Sequence, residues 1–434
     1  MKVLNDVHQQ FAEYFTSESL KPYLYLLSKK MSEGHICINM NEINNDDLDG
    51  LYTFPKKLIE NEELVSDGTK IKPFILYNHR LYLQRYFNYE TIILNRTKDF
   101  LKNEKENEKE NENSVREQIT LIKKLFPNLN STAEKNINWQ LVALLSAVLN
   151  QFTIITGGPG TGKTTTVAKI LTILFSIKPD LKVALAAPTG KAASRMAESL
   201  KMMSSNGGSF ENDNIKNKFE MLEPSTIHRL LGYKPGSIYF KHNRQNPLNY
   251  DVVIIDESSM IDVALFAKLL DAIGDETKLI LLGDKDQLAS VEAGSLFGDL
   301  CQVREKLNVF SEERIDFINS FIDGADEKLN QACIAKSSHP LFEHIIELRK
   351  SHRFSDLKGI GKFSKAIIQN NENVIKDFFR NEDDQVLIDT QYSDKIFNDF
   401  IAGYEAFIKE KNILIALQKL NNLKVLCAIR ESGQ

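Results

Sequence analysis

The chain has 434 residues, long enough for two or three domains with sizeable cores. Hydrophobic residues make up 42% and charged residues 26%, the balance of a globular protein, and no apolar run reaches the ~20 residues of a membrane span. A net charge of −5 excludes wholesale attraction to a polyanion, so any nucleic acid must be met by a local basic patch.

The first residues, "MKVLNDVHQQFAEYF", lack the apolar centre of a secretory signal, which points to the cytoplasm. Cys37, Cys301, Cys333 and Cys427 are scattered without a C-x-x-C pair and read as reduced thiols rather than a zinc site or disulfide framework. Residues 1–98 mix amphipathic helical patterns with one strand-like stretch, "KPFILYNHRLYLQRYFNYE", and are expected to form a small, mainly helical N-terminal domain. "KNEKENEKENEN" (102–113) contains no apolar residue and cannot bury enough surface to offset its ordering entropy. Residues 99–130 are therefore expected to be a charged linker or a helical extension.

From about residue 131 strands and helices alternate. "FTIIT" (152–156), "KVALAAP" (182–188), "DVVIID" (251–256) and "KLILLGD" (278–284) read as buried parallel strands, each followed by turn residues. Each run ends in a chemically suggestive motif, and the carboxyl ends of strands are where open α/β sheets bind ligands. Further strand-like runs are "QVLIDT" (385–390) and "LKVLCAI" (423–429).

Gly157-x-x-x-x-Gly162-Lys163-Thr164 follows the first strand and opens a helical pattern, as a phosphate loop does. Its glycines let successive amides face phosphates, Lys163 reaches the outer phosphates, and the Thr164 hydroxyl suits Mg2+. "VVIIDESSM" ends its strand in Asp256 and Glu257, one carboxylate for the metal and one to activate water, which favours hydrolysis over transfer to a substrate hydroxyl. In "LLGDKDQL", Gln287 supplies a neutral amide able to sense a terminal phosphate. Pro188-Thr189-Gly190-Lys191 reads either as a phosphate contact, on nucleotide or polynucleotide, or as a capped helix start. Residues 224–250 lack any acid and interleave Arg229, Lys234, Lys241 and Arg244 with Tyr233, Tyr239, Phe240 and Tyr250. That is the composition of single-strand binding by cations and stacking, unless the aromatics pack into the core. In "LRKSHRF" (348–354), Arg353 or Arg349 is a candidate for an arginine brought from a second domain, and a plain surface charge is the alternative.

In order, "LYLQRY", "INWQ", "GGPGTGKTTTVAKIL", "APTGKAA", "TIHRLLGYKPGS", "NPLNYDVVIIDESSMID", "LLGDKDQLASVEAGSLFGDL", "SHRF" and "LCAIRE" resemble the superfamily 1 DNA helicases. In detail they look like the RecD family, the α subunits of exodeoxyribonuclease V, from residue 81 to the C-terminus. The fold this implies is α/β, a RecA-like parallel sheet flanked by helices. It would occupy residues 131–344, with an incomplete second RecA-like domain over 345–434. The resemblance makes Gln140 the adenine reader and gives ATP the loop Gly157, Gly158, Pro159, Gly160, Thr161, Gly162, Lys163, Thr164 and Thr165. It assigns Mg2+ to Thr164 and Asp256, hydrolysis to Glu257, and γ-phosphate sensing to Gln287 and Arg353. Thr189 and His228 would lie near DNA, joined by the basic residues Lys191, Arg229 and Lys241.

The resemblance further implies ATP-driven 5′-to-3′ movement on single-stranded DNA at duplex ends, in recombinational repair of double-strand breaks. It implies assembly with RecB and RecC, the N-terminal domain docking on RecC and the nuclease chemistry residing in RecB. Members of the family continue past this C-terminus with two further motifs, one gripping DNA and one adding an arginine to the ATP site. A truncated chain that binds partners and nucleotide without productive translocation is the alternative expectation.

Overall fold

The computed structural model describes residues 6–15, 17–55, 63–127, 137–205, 213–288, 293–294, 296–302, 306–324, 327–336, 339, 341–355, 357–391 and 393–426. The chain divides into two units, Met1–Arg353 and Phe354–Gln434.

The first unit opens with helices α1 (Val7–Glu13) and α2 (Lys21–Ser32), followed by strands β1 (Cys37–Asn39), β2 (Val65–Ser66), β3 (Phe74–Tyr77) and β4 (Arg80–Leu83). These strands form a sheet in the order β1-β4-β3-β2. The single strand-like stretch of the sequence thus resolves into a hairpin. Asn78 and His79 take φ of 47° and 59°, the left-handed pair that a two-residue hairpin turn requires. Leu20, Leu24, Leu27, Phe74 and Leu81 are buried together beneath this sheet.

Helix α3 (Gln84–Glu117) runs without a break for 34 residues through the acid-rich segment. The segment is therefore the helical extension rather than a linker, and its polar side chains explain why. Asn103 donates to the Asp275 carbonyl (3.0 Å), Glu104 accepts the Gln151 amide (2.8 Å), and Asn111 donates to the Leu149 carbonyl (3.0 Å). Positions 103, 104 and 111 fall on one helical face, so the segment docks by hydrogen bonds without apolar burial. Nearer its start, Arg96 is buried, donating to the carbonyls of Leu270 and Ile273 and pairing with Asp275.

After α4 (Ile119–Leu125) come α5 (Trp139–Leu149), β5 (Phe152–Gly157), α6 (Lys163–Ile177), β6 (Val183–Ala187), α7 (Gly190–Ser205) and α8 (Asp213–Met221). Then follow β7 (Ser225–Thr226), α9 (Ile227–Leu231), β8 (Val252–Ile255), α10 (Val263–Ala272), β9 (Lys278–Gly283), α11 (Leu296–Gln302), α12 (Glu312–Asn319) and β10 (Ile345–Leu348). The six strands form one parallel sheet in the order β10-β5-β9-β8-β6-β7. Strand residues alternate between two cores. Ile155, Ile254 and Ile280 face α5 and α6, and Ile154, Val253 and Leu281 face α3 and α10. Burial on both faces is why these strands read as continuous apolar runs. All four expected strands of the ATPase sheet are present.

Two expectations need correction. Residues 345–348 do not open a second domain, because Ile345–Leu348 pairs in register with Ile154–Gly157 as the edge strand of the first sheet. "QVLIDT" forms no strand. A strand needs a neighbour's ladder hydrogen bonds, and no strand occurs among the described residues of the second unit; Leu387 remains exposed. That unit consists of α13 (Gly359–Ile368), α14 (Glu372–Arg380), α15 (Asp394–Ile408) and α16 (Ile413–Asn421). The run 423–429 lies partly, and Cys427 wholly, outside the described residues. Cys301 and Cys333 are buried free thiols, and Cys37 is half-buried. No described helix is long and apolar enough to cross a membrane.

Candidate nucleotide site

Strand β5 ends at Gly157, and the chain turns through a loop into α6. Gly160 and Gly162 adopt φ of 79° and 87°, values that L side chains rarely take. Space is as restrictive as conformation. A Cβ on Gly160 would lie 2.5 Å from the Cβ of Arg353, and one on Gly157 would lie 2.7 Å from the Thr161 hydroxyl. The turn is held from inside by Thr161, whose hydroxyl donates to the Gly158 carbonyl at 2.8 Å. Helix α6 has no side-chain N-cap, so its first-turn amides have no side-chain acceptor beside the loop. The Lys163 ammonium folds back onto the carbonyls of Gly157 and Gly158.

Around this loop lies a cavity of about 970 Å³ lined by residues from five other parts of the unit. Gln140, at the start of α5, donates to the Thr161 carbonyl at 3.1 Å and so touches the loop itself. Asp256 and Glu257 follow β8, and Gln287 follows β9. His352 and Arg353 follow β10. Thr189 and Lys191 follow β6, and α7 adds Arg195, Met196, Ser199 and Met203.

The carboxylates sit in an unfavourable environment. Burial pushes the Asp256 carboxyl above its ordinary range, against the Glu257 amide (2.8 Å) and the charge of Lys163. Glu257 is raised first by burial and then by the neighbouring Asp256, with Lys163 and Arg195 opposing. Its backbone is left-handed, φ 53° and ψ 39°, a conformation that costs about 1–3 kcal/mol in a non-glycine residue and recurs at reactive positions. Asp284, at the end of the adjacent strand, is likewise raised by burial. A half-buried carboxylate and a threonine hydroxyl lining one cavity match Mg2+, which takes one or two protein oxygens and draws its remaining ligands from phosphate and water.

The segment after β10 is tied to the loop, and the segment after β9 to β5 and to Ser259. The Lys285 amide donates to the Thr156 hydroxyl (3.0 Å), and Ser259 donates to the Gln287 amide oxygen (3.3 Å). The His352 amide donates to the Gly160 carbonyl (2.8 Å), and the Ser351 hydroxyl donates to the Pro159 carbonyl (3.2 Å). Arg353 therefore does not come from a second domain. It leaves the strand beside β5 and lies against the phosphate loop within the first unit.

The residues expected at DNA divide. Thr189 and Lys191 line the nucleotide cavity, whereas His228, Arg229 and Lys241 lie outside it. Helix α9 begins at the Thr226 cap and ends at Gly232, whose carbonyl accepts the Lys241 amide (3.0 Å). Beyond it Tyr233 and Tyr239 are 60% and 71% exposed, suited to stacking, but Phe240 packs against His228 at 5.6 Å. Arg244 is engaged by Asp275 at 2.7 Å and serves the α3–α10 junction. Sequence reasoning missed Arg195 as a site residue. Its signal was the spacing, since positions 191, 195, 199 and 203 repeat every fourth residue on one face of α7.

A family model for an AAA domain matches residues 140–293, which hold the loop, both acidic residues and Gln287. The RecBCD enzyme subunit RecD of Haemophilus influenzae is 37% identical over 308 residues, covering 69% of this chain and 44% of that protein. The RecBCD enzyme subunit RecD of Buchnera aphidicola subsp. Acyrthosiphon pisum is 29% identical over 444 residues, covering 98% of this chain and 69% of that one. The ATP-dependent RecD2 DNA helicase of Deinococcus radiodurans is 37% identical over 163 residues, covering 37% of this chain and 19% of that one. The chain thus spans 44% of the first relative's length and 69% of the second's. A glycine-rich loop, an acidic strand end and Gln287 thus converge in one cavity, in a chain similar to the RecD subunits of the RecBCD enzyme.

Proposed function

We propose that the chain is an ATP-hydrolysing DNA helicase subunit that couples hydrolysis to 5′-to-3′ movement on single-stranded DNA, assembled with RecB and RecC in recombinational repair. The observation that carries this reading is the single cavity holding Lys163, Asp256, Glu257, Gln287 and Arg353. Magnesium-bound ATP supplies the phosphoanhydride bond and a cation that offsets charge on its phosphates. Lys163 exchanges the Gly157 and Gly158 carbonyls for phosphate oxygens, and Asp256 and Thr164 hold the metal side. Glu257, with its raised affinity for a proton, is matched to accept one from the attacking water. Gln287 and Arg353 meet the terminal phosphate and pass its presence to the segments after β9 and β10. Tyr233 and Tyr239, with His228, Arg229 and Lys241 around them, offer stacking and phosphate contacts to a single strand.

The test is ATP turnover with and without single-stranded DNA, on the chain alone and with RecB and RecC. DNA-stimulated hydrolysis that Lys163→Gln abolishes supports the reading. Transfer of phosphate to a small-molecule acceptor, or turnover indifferent to DNA in the assembled complex, refutes it.

A further inference from the structure

The cavity contains more positive charge than a phosphate loop needs. Lys163, Lys191, Arg195 and Arg353 line it together with the carboxylates of Asp256 and Glu257, and Asp284 lies near Lys163. Two of the four cations, Lys191 and Arg195, stand one turn apart on α7, and positions i and i+4 share a helix face. Both are exposed, so the cavity leaves their charged ends in solvent rather than burying them in ion pairs. Arg195 lines the same cavity as Glu257, beside which the terminal phosphate of a triphosphate would be attacked.

We propose that Arg195, preceded by Lys191, forms a cationic wall that engages the terminal phosphoryl group and makes the site select nucleoside triphosphate over diphosphate. This rests on the nucleotide-site reading above. The guanidinium suits the role by its chemistry: it is always charged and presents two parallel N–H donors to phosphate oxygens. The inner phosphates have the loop amides, and the terminal phosphate, which the reading above gives to Lys163, Gln287 and Arg353, is the group a diphosphate lacks. A polynucleotide phosphate is the competing occupant of the same wall. Against it, Lys191 and Arg195 share the cavity with Glu257 and Arg353, whereas the exposed tyrosines that would stack bases lie outside it.

The test measures competition of ADP and a non-hydrolysable ATP analogue against a fluorescent ADP on the 434-residue chain, with Mg2+. It compares wild type, Arg195→Ala, Arg195→Lys and Lys191→Ala. Loss of a charge-assisted contact predicts that Arg195→Ala weakens the triphosphate analogue about ten- to a hundredfold. ADP affinity and thermal midpoint stay unchanged, Arg195→Lys is intermediate, and Lys191→Ala shows a smaller loss in the same direction. Equal losses for both nucleotides, or none for either, overturn the proposal. So does a loss that appears instead in affinity for single-stranded DNA measured without nucleotide. A wild-type chain that binds neither nucleotide overturns the nucleotide-site reading as well, which separates that failure from failure of the α7 wall alone.

Discussion

Gly160 is where the phosphate loop and the Arg353 segment meet, and replacing it with alanine tests whether that contact sets catalysis. The new Cβ would lie 2.5 Å from the Arg353 Cβ, 3.1 Å from the Ser351 hydroxyl and 3.2 Å from the Arg353 amide. Carbon atoms in contact rest at about 3.5–4.0 Å, so the segment must retreat by roughly 1 Å or more. Left-handed backbone at alanine adds about 1–2 kcal/mol of strain. Misplacing a catalytic group by about 1 Å costs on the order of a hundredfold in rate. Gly160→Ala should therefore lower kcat for DNA-stimulated ATP hydrolysis about a hundredfold, with a lesser effect on KM. The double-mutant cycle supplies the discrimination: if the damage passes through Arg353, Gly160→Ala in an Arg353→Ala background adds little. Independent, multiplying losses would refute the argument. So would a Gly160→Ala enzyme with near-normal kcat.

Two further outcomes are expected. Arg96→Ala strands the buried Leu270 and Ile273 carbonyls at the end of α10, while Asp275 keeps Arg244 as a partner. The loss should be about 3 kcal/mol, read as a fall in the urea midpoint with unchanged slope, and a change below about 1 kcal/mol contradicts the clamp. For Glu257→Gln the sign follows from its raised carboxyl pKa. The native state then binds more protons than the unfolded state between the ordinary glutamate value and the raised one, so the ionised group costs stability as pH climbs through that window. Glu257→Gln should match wild type below the window and melt higher above it, each recovered kcal/mol moving Tm by about 2–4 °C, while hydrolysis is lost. Equal melting at every pH in the absence of nucleotide would show that the charge is not strained.

How far the sequence discloses this arrangement depends on the kind of interaction. The four central strands were legible because burial on both faces leaves an unbroken apolar run, as in "VVII" and "LILL". The phosphate loop was legible because Gly160 and Gly162, at φ of 79° and 87°, have no ready substitute. The helix through 102–113 resisted reading because its packing is polar. Composition cannot distinguish an asparagine held by the Asp275 carbonyl from one facing water. Ile345–Leu348 was misassigned for a different reason. A four-residue apolar strand has no mark saying which sheet it joins, and its partner Ile154–Gly157 lies about 190 residues earlier.

That edge strand changes how Arg353 is placed at the cavity. An arginine brought from another domain senses nucleotide only when the domains close. Here its backbone neighbour His352 is bonded to Gly160, and Ser351 to Pro159, so the arginine is placed before any closure. A terminal phosphate entering the cavity meets a segment already bonded to the loop that cradles it. Two hydrogen bonds, His352 to Gly160 and Ser351 to Pro159, thus join the loop to the Arg353 segment within the first unit. Under the function proposed above, Ser351→Ala, which removes the bond to Pro159, should lower DNA-stimulated ATP turnover before it weakens ATP binding.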